Sequence, residues 1–261
     1  MLGLAGLCVA AAVFFSLKPV STTRVPRTSG ALHEQAPHDT HDVRDVRDIH
    51  AGPQTDMPPT WLAIMRMPMV WRVSAVWFGS CILSLGLQSW MPSWLMHEHG
   101  IDILHIGVLS AIPFLVSFVG TNVIGQIIDG CEPTRLRHLL AAGASLSAVF
   151  LALMTRTISI GLLMLWWTLC MVSFDMVYAT VFSIPLKTFA PSIAGRTTGL
   201  INFSGQLAGA IASVVMGRLI AISHGSYAGA FVFLIGAGVA ACAVALTCQF
   251  GKQTHAVTAA A

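Results

Sequence analysis

The stretch of sequence that decides the fold begins at Ile106, ends at Ile128 and is IGVLSAIPFLVSFVGTNVIGQII. It contains no Asp, Glu, Lys, Arg or His. A hydrocarbon core of about 30 Å is crossed by about 20 apolar helical residues. Because lipid offers the backbone no hydrogen-bond partners, such a run must be helical or belong to a closed barrel. The apolar residues are continuous rather than alternating, so the run predicts a transmembrane helix.

Six further apolar runs flank this one, and together they predict an all-α integral membrane protein with seven transmembrane helices. The seven runs are 2–17, 69–95, 106–128, 139–154, 158–182, 199–222 and 227–250. The chain is 55% hydrophobic and only 10% charged, whereas a soluble domain carries about 25% charged residues. This balance excludes a soluble enzyme, a nucleic-acid-binding protein and a disordered protein. No motif for hydrolysis or nucleotide binding occurs, so we expect no catalytic residue, no metal and no cofactor.

The distribution of polar residues divides the chain into four parts. We predict a helix at 1–17, a solvated and partly disordered linker at 18–68, a six-helix transmembrane bundle at 69–250 and a tail at 251–261. Lys and Arg favour the cytoplasmic side of a membrane. With the linker placed there, all of the 14 basic residues except Arg156 and Arg218 lie on that side. We therefore expect a multi-pass protein of the cell (inner) membrane, with the linker and the C-terminus cytoplasmic.

An internal repeat relates the second, third and fourth runs to the last three at an offset of 92 residues. The offset places Gly107 on Gly199 and Gly125 on Gly217, and between them it places Pro113, Ser117 and Thr121 on Gly205, Gly209 and Ser213. These residues form a stripe along one helix face, where another helix can approach closely. Three helices are an odd number of crossings, so the two copies must be inverted. Inverted repeats of three helices are typical of secondary transporters.

Three segments carry a resemblance to a known family. The residues from Trp90 to Leu95, from Gly107 to Pro113 and from Gly125 to Asp129 resemble the helix seven to helix eight region of the major facilitator superfamily. Gly125-x-x-x-Asp129 is similar to the second-half copy of the family's G-x-x-x-D loop, although Gly130-Cys131-Glu132 stands where the family usually has basic residues. The segment from Pro191 to Gly205 resembles the entry to helix eleven in the anion:cation symporter branch.

The resemblance implies the C-terminal half of a major facilitator fold, with the run at 2–17 standing for helix six. Implied partners are a small-molecule substrate, a coupling cation, the lipid bilayer and a missing N-terminal six-helix half. The implied function is secondary active transport of a small organic anion in symport with a cation, by alternating access. The alternative is a truncated or split half-transporter without activity alone. On either interpretation, we expect the two small-residue stripes to face a partner that this chain does not contain.

Asp175 is the carboxylate deepest within an apolar run, and it is the candidate coupling residue. Placing Asp at mid-membrane costs about 2.5–3.5 kcal/mol, so it should face a cavity or a partner. Tyr178 lies three residues further on the same helix face. One hypothesis is a proton- or cation-coupling carboxylate with an aromatic hydroxyl neighbour. The other is a carboxylate that hydrogen-bonds a neighbouring helix or stays wet near the inner rim.

Uncharged polar side chains are the candidate substrate ligands. Ser80, Ser84 and Gln88 recur every fourth residue on the second run, and Asn202 and Gln206 share a face of the sixth. Such groups can hold a polar substrate without the cost of burying a formal charge. The alternative is hydrogen bonding between helices.

Gly125 and Asp129 are the candidate gating residues, because the resemblance implies that this carboxylate helps to lock the gate. A solvated loop acid is the alternative. Near the opposite end of the predicted bundle, His97, Glu98 and His99 form a polar cluster that we expect to be solvated rather than to bind a metal.

Overall fold

The computed structural model describes residues 61–248. The predicted first helix, most of the predicted linker and the predicted tail lie outside the described residues. Within them the chain forms seven helices: α1 (Trp61–Met65), α2 (Pro68–His99), α3 (Ile103–Asp129), α4 (Pro133–Met154), α5 (Ile160–Thr188), α6 (Pro191–Ile222) and α7 (Ala228–Thr247). The six helices α2 to α7 are each long and apolar enough to cross a membrane. The described part of the chain is therefore an all-helical membrane fold with six spans.

The helices α2 to α6 extend beyond the apolar runs that predict them, whereas α7 lies within its run. α4 begins at Pro133 rather than at 139, and α6 begins at Pro191 rather than at 199. The added turns carry charged residues such as Arg135 and Arg196, which are accepted where a helix leaves the hydrocarbon region. Proline occupies the first turn of α2, α4 and α6, where its missing N–H costs no intrahelical hydrogen bond.

The short helix α1 lies within the segment 18–68 that the composition predicts as a linker. Its Ile64 is fully buried and clusters with Val70 and Ile193. The guanidinium carbon of Arg196 lies 5.8 Å from the centre of the Trp61 ring, within cation–π range. This end of the predicted linker is therefore packed on the bundle, because the sequence Trp-Leu-Ala-Ile-Met supplies an apolar face.

The main helix contacts within the bundle are the same when the first three spans are exchanged with the last three. α2 packs against α6 and α7, while α5 packs against α3 and α4, and α4 also packs against α7. When α2, α3 and α4 are exchanged with α5, α6 and α7, four of these contacts are interchanged in pairs and the contact between α4 and α7 is unchanged. Moved by 92 residues, the start of α2 at Pro68 coincides with the start of α5 at Ile160, while the starts of the other two helix pairs differ by three or four residues.

The middle of each small-residue stripe packs inside the bundle, so the expectation that it faces an absent partner is wrong there, whereas a Cβ at Gly107, Gly125 or Gly199 would meet nothing within 4 Å. On α6 the stripe meets α2: a side chain at Gly209 would contact Leu85, and the Ser213 hydroxyl donates to Ser89 Oγ at 3.4 Å. On α3 the stripe meets α5, where Ser117 hydrogen-bonds Asp175. The error has a physical reason, since a stripe shows which face allows close approach but not which helix approaches it.

Contacts at the two ends of the bundle show that the spans alternate in direction. The Lys187 ammonium at the end of α5 reaches the Cys131 carbonyl just after α3, at 3.1 Å. Arg72 in the first turn of α2 donates to the Thr247 carbonyl at the end of α7, at 3.2 Å. At the other end, the Trp94 ring of α2 lies 5.0 Å from the Phe231 ring in the first turn of α7.

Candidate functional site

The polar centre of the bundle is a contact between α5 and α3. Asp175 on α5 is half-buried, and its Oδ2 accepts a hydrogen bond from the Ser117 hydroxyl on α3. The Thr121 hydroxyl, one helical turn further along α3, also lies beside this carboxylate. Ser and Thr hydroxyls are donors that suit an ionised carboxylate, which only accepts. Two neighbouring helices are therefore joined inside the apolar region through one carboxylate.

Tyr178 does not accompany Asp175 as its spacing suggests. It lies in an aromatic cluster, with its ring centre 5.8 Å from that of Trp77 on α2 and 4.9 Å from that of Phe182 on α5. Trp77 also stacks on Phe174 at 5.6 Å. Such aromatic pairs contribute about 0.5–1.5 kcal/mol each beyond the area they bury. The cluster therefore links α2 to the segment of α5 that carries Asp175.

Trp77 is a residue of this site that the sequence reasoning missed. It is buried, and its indole N–H has no hydrogen-bond partner among the described residues. Gly205 on α6 leaves room for it, because a side chain at that position would overlap the indole nitrogen. The available signal was the stripe itself, since a glycine in a close-packing stripe predicts a bulky side chain opposite.

The polar residues Ser80, Ser84 and Gln88 of α2 differ in how deeply they are buried. Ser80 and Ser84 are 2% and 0% exposed, so both hydroxyls face neighbouring helices. Gln88 is half-buried, donates to Ser84 Oγ at 2.9 Å and lies 3.9 Å from the sulfur of Met171 on α5. Met171 precedes Asp175 by one helical turn, so Gln88 contacts α5 one turn before the carboxylate.

Asn202 and Gln206 lie on an exposed part of α6. They share a helix face as the spacing predicts. The structure does not bring them into contact with Gln88 or Asp175. Gly205 next to them packs on Trp77, so the two amides lie beside the position where α6 touches the aromatic cluster.

The end of α3 is held by a lysine rather than by the side chain of Asp129. Lys187 donates to the carbonyls of Ile128, Asp129 and Cys131 at 2.5, 3.2 and 3.1 Å. A cation at this position offsets the negative end of a helix. The Asp129 residue is exposed, and a Cβ on Gly125 would meet nothing within 4 Å. Gly125 and the side chain of Asp129 are therefore not used in the packing of the described bundle.

No group of three or more potential metal ligands occurs among residues 61–248. The polar side chains near Asp175 are hydroxyls and an amide, which suit hydrogen bonding to an uncharged or anionic group.

Six apolar helices joined by internal polar contacts define an all-helical, multi-pass membrane protein. The chain belongs to the Major Facilitator Superfamily, whose sequence profile matches residues 1–213. The protein is similar to transporters and is not an enzyme.

Two curated relatives of the chain are named as transporters. The chain is 30% identical over 138 residues to the probable sulfoacetate transporter SauU of Cupriavidus necator, covering 51% of this chain and 32% of that protein. It is 27% identical over 154 residues to the D-galactonate transporter of Escherichia coli O6:H1, covering 56% and 33%. It therefore spans about a third of the length of these relatives.

The fold resembles that of a bacterial homologue of the human lysosomal transporter Spinster, in an inward-facing and unoccupied conformation. The TM-score is 0.54 at 15% identity, and the match covers 76% of this chain and 51% of the other. At this identity, the likeness concerns the fold alone.

Proposed function

We propose that this chain forms one six-helix wall of a secondary transporter that moves a small organic anion together with a cation, by alternating access. Membership of the superfamily supports transport. The printed names of two relatives, for sulfoacetate and for D-galactonate, support an organic anion as the substrate class. A missing N-terminal half would supply the opposite wall of the cavity.

The proposed architecture is a pair of inverted three-helix repeats, α2 to α4 and α5 to α7. Two observations support it. The helix bounds correspond within four residues at the offset of 92, and the set of main helix contacts is preserved when the two triplets are exchanged. Each repeat has three spans, so the second is inserted opposite to the first. Inverted repeats give a site near the bilayer midplane and allow it to open to either side.

The observation that carries the coupling role is the contact of Asp175 with Ser117. An ionised carboxylate accepts the Ser117 hydrogen bond, whereas a protonated one also carries a donor. Arrival of a proton or another cation therefore changes both the charge and the hydrogen bonding between α5 and α3. Because a bare carboxylate in this position costs about 2.5–3.5 kcal/mol, neutralisation by the coupling cation also favours movement of this region.

The proposed binding surface is built from amides on two helices. Gln88 is held in place by Ser84, while Asn202 and Gln206 are exposed on α6. Ser80 and Ser84 contribute by positioning, since both are buried in the bundle.

The proposed gate uses the exposed part of α3 around Gly125 and Asp129, where nothing in the described bundle occupies the surface. We place this end of the bundle, with Lys187, on the cytoplasmic side of the inner membrane. The excess of Lys and Arg on that side supports the orientation.

The test is uptake of radiolabelled D-galactonate and sulfoacetate into proteoliposomes that contain the purified chain, with and without an inward proton or sodium gradient. We expect gradient-driven uptake by the native chain when the N-terminal half described below is present. Asp175→Asn should abolish gradient-driven uptake but retain exchange of internal for external substrate, and Ser117→Ala should weaken the coupling. Ser110→Ala, two turns away on α3, is the matched control and should behave as the native chain does.

A second arm separates the coupling role from the need for another half. The same assay is made with the chain co-expressed with the N-terminal half of the D-galactonate transporter. Uptake only in this arm would show a half-transporter. Undiminished gradient-driven uptake by the Asp175→Asn variant, in whichever arm is active, would contradict the coupling role. No uptake in either arm would contradict transport of these anions.

A further inference from the structure

A cavity with both polar and apolar walls lies at the end of the bundle opposite to Lys187. It has a volume of about 590 Å³ and is enclosed by the end of α2, the end of α4 and the start of α7. Its polar wall includes Glu98, Thr155 and Arg156, and its aromatic wall includes Trp94 and Tyr227. Trp and Tyr are the residues that proteins place at the level of lipid head groups. The cavity is therefore at the depth of a membrane–water interface.

Two side chains of opposite charge line this cavity without a hydrogen bond or a salt bridge to the described helices. Arg156 and Glu98 both line it and are both exposed. Within residues 61–248, neither side chain makes a hydrogen bond or a salt bridge, and they do not pair with each other. A guanidinium binds a phosphate through paired hydrogen bonds, and a carboxylate attracts an ammonium. One cavity thus offers a site for each charge of a zwitterion.

An apolar groove continues from the cavity along the seam between α4 and α7. The groove has a volume of about 390 Å³ and shares Ala152 and Ile235 with the cavity. Val149 and Leu246 on its walls are 52% and 58% exposed, so the groove opens towards the surrounding membrane. From Ile235 to Leu246 it extends about 16 Å at 1.5 Å per residue. This length is about half of a 30 Å hydrocarbon core, which is the depth of one leaflet.

We propose that the cavity and the groove together bind one phospholipid with a zwitterionic amino head group, such as phosphatidylethanolamine. The phosphate lies at Arg156, the ammonium lies at Glu98, and one acyl chain lies in the groove between α4 and α7. A water-soluble zwitterion would satisfy the two charges but would leave the groove without a function. An anionic lipid would satisfy Arg156 and the groove but would place no cation at Glu98. The site is separate from Asp175 and does not depend on what the protein transports.

The test counts lipids bound to the purified full chain by native mass spectrometry, after delipidation and titration with phosphatidylethanolamine or phosphatidylglycerol. We expect the native chain to hold one phosphatidylethanolamine several-fold more tightly than phosphatidylglycerol. Arg156→Gln should weaken both lipids about tenfold through loss of a charge-assisted contact. Arg218→Gln, a charge change at the same end of the bundle, is its control and should change neither. Glu98→Gln should remove the preference for phosphatidylethanolamine.

The groove is tested by filling it. Ala243→Trp occupies an exposed position on the groove wall, and Ala240→Trp occupies an exposed position on the same helix outside it. We expect only Ala243→Trp to reduce lipid binding, while circular dichroism shows equal helix content in the two variants. Equal retention of both lipids by the native chain would overturn the proposal. Equal lipid binding by the Arg156→Gln and Arg218→Gln variants would also overturn it, and so would equal lipid binding by the two tryptophan variants.

Discussion

The close approach of α6 to α2 at Gly205 predicts a large effect of adding one methyl group. A Cβ at position 205 would overlap the Trp77 indole nitrogen and would stand 2.9 Å from Cys81 Sγ. Overpacking of this kind costs about 1–3 kcal/mol. Movement of Trp77 would also weaken its ring contacts with α5, each of which contributes about 0.5–1.5 kcal/mol. Alanine has a higher helix propensity than glycine, which stabilises the variant by up to about 1 kcal/mol. We therefore expect Gly205→Ala to lower the free energy of unfolding by about 2 kcal/mol.

The control for Gly205→Ala is Gly199→Ala on the same helix, where a Cβ would meet nothing within 4 Å. This variant keeps the gain in helix propensity without the clash, so it should be at least as stable as the native chain. The assay is reversible unfolding in mixed micelles by a denaturing detergent, followed by tryptophan fluorescence and circular dichroism.

A second substitution identifies the cause of the instability. Trp77→Phe removes the indole nitrogen, so in that background Gly205→Ala should cost at least 1 kcal/mol less than in the native chain. Residues in contact show such non-additive effects, whereas distant residues do not. If Gly205→Ala is as stable as Gly199→Ala, or if its cost is the same in both backgrounds, the packing described here is wrong.

Two further predictions concern the ends of the bundle. Lys187→Met removes the donor to three carbonyls at and just after the end of α3, so it should lower the free energy of unfolding by about 1 kcal/mol and speed amide exchange there. The exposed control Arg135→Met should do neither. Equal exchange in both variants would contradict the capping role. Burial and the nearby Glu98 carboxylate raise the pKa of Tyr227. The chain has two tyrosines, so in a Tyr178→Phe background Glu98→Gln should shift the tyrosinate absorbance midpoint to lower pH, and an unchanged midpoint would show that the two groups are not close.

Most of the architecture could be predicted because it depends on local properties of the sequence. Lengths of apolar runs indicate spans, and at the offset that matches Gly107 to Gly199 the helix bounds correspond within four residues. Errors of several residues at helix starts, as at Pro133 and Pro191, arise because the first helical turns lie where charged residues are accepted. The hydrophobic pattern alone does not mark those turns.

The candidate site could be predicted only in part, because its contacts join residues that are far apart in sequence. The spacing of Ser80, Ser84 and Gln88 shows that they share a face, but burial by neighbouring helices decides which of them is accessible. The position of Asp175 in an apolar run showed that it needs a partner, whereas the identity of Ser117 as that partner follows from how α3 lies on α5. Trp77 carried no polar or periodic signal of its own.

The lysine at the end of α5 has a mechanical consequence for the helix pair. Since three carbonyls at the end of α3 are tied to Lys187, the two helices are pinned together at that end, and any relative tilt must pivot there. Asp175 stands twelve residues from the pivot, a lever arm of about 18 Å at 1.5 Å per residue. A tilt of about 5° then displaces the carboxylate by about 1.6 Å relative to Ser117, which is enough to break a hydrogen bond of normal length. A small change in the angle between the two helices at the Lys187 end is therefore enough to break the hydrogen bond between Asp175 and Ser117.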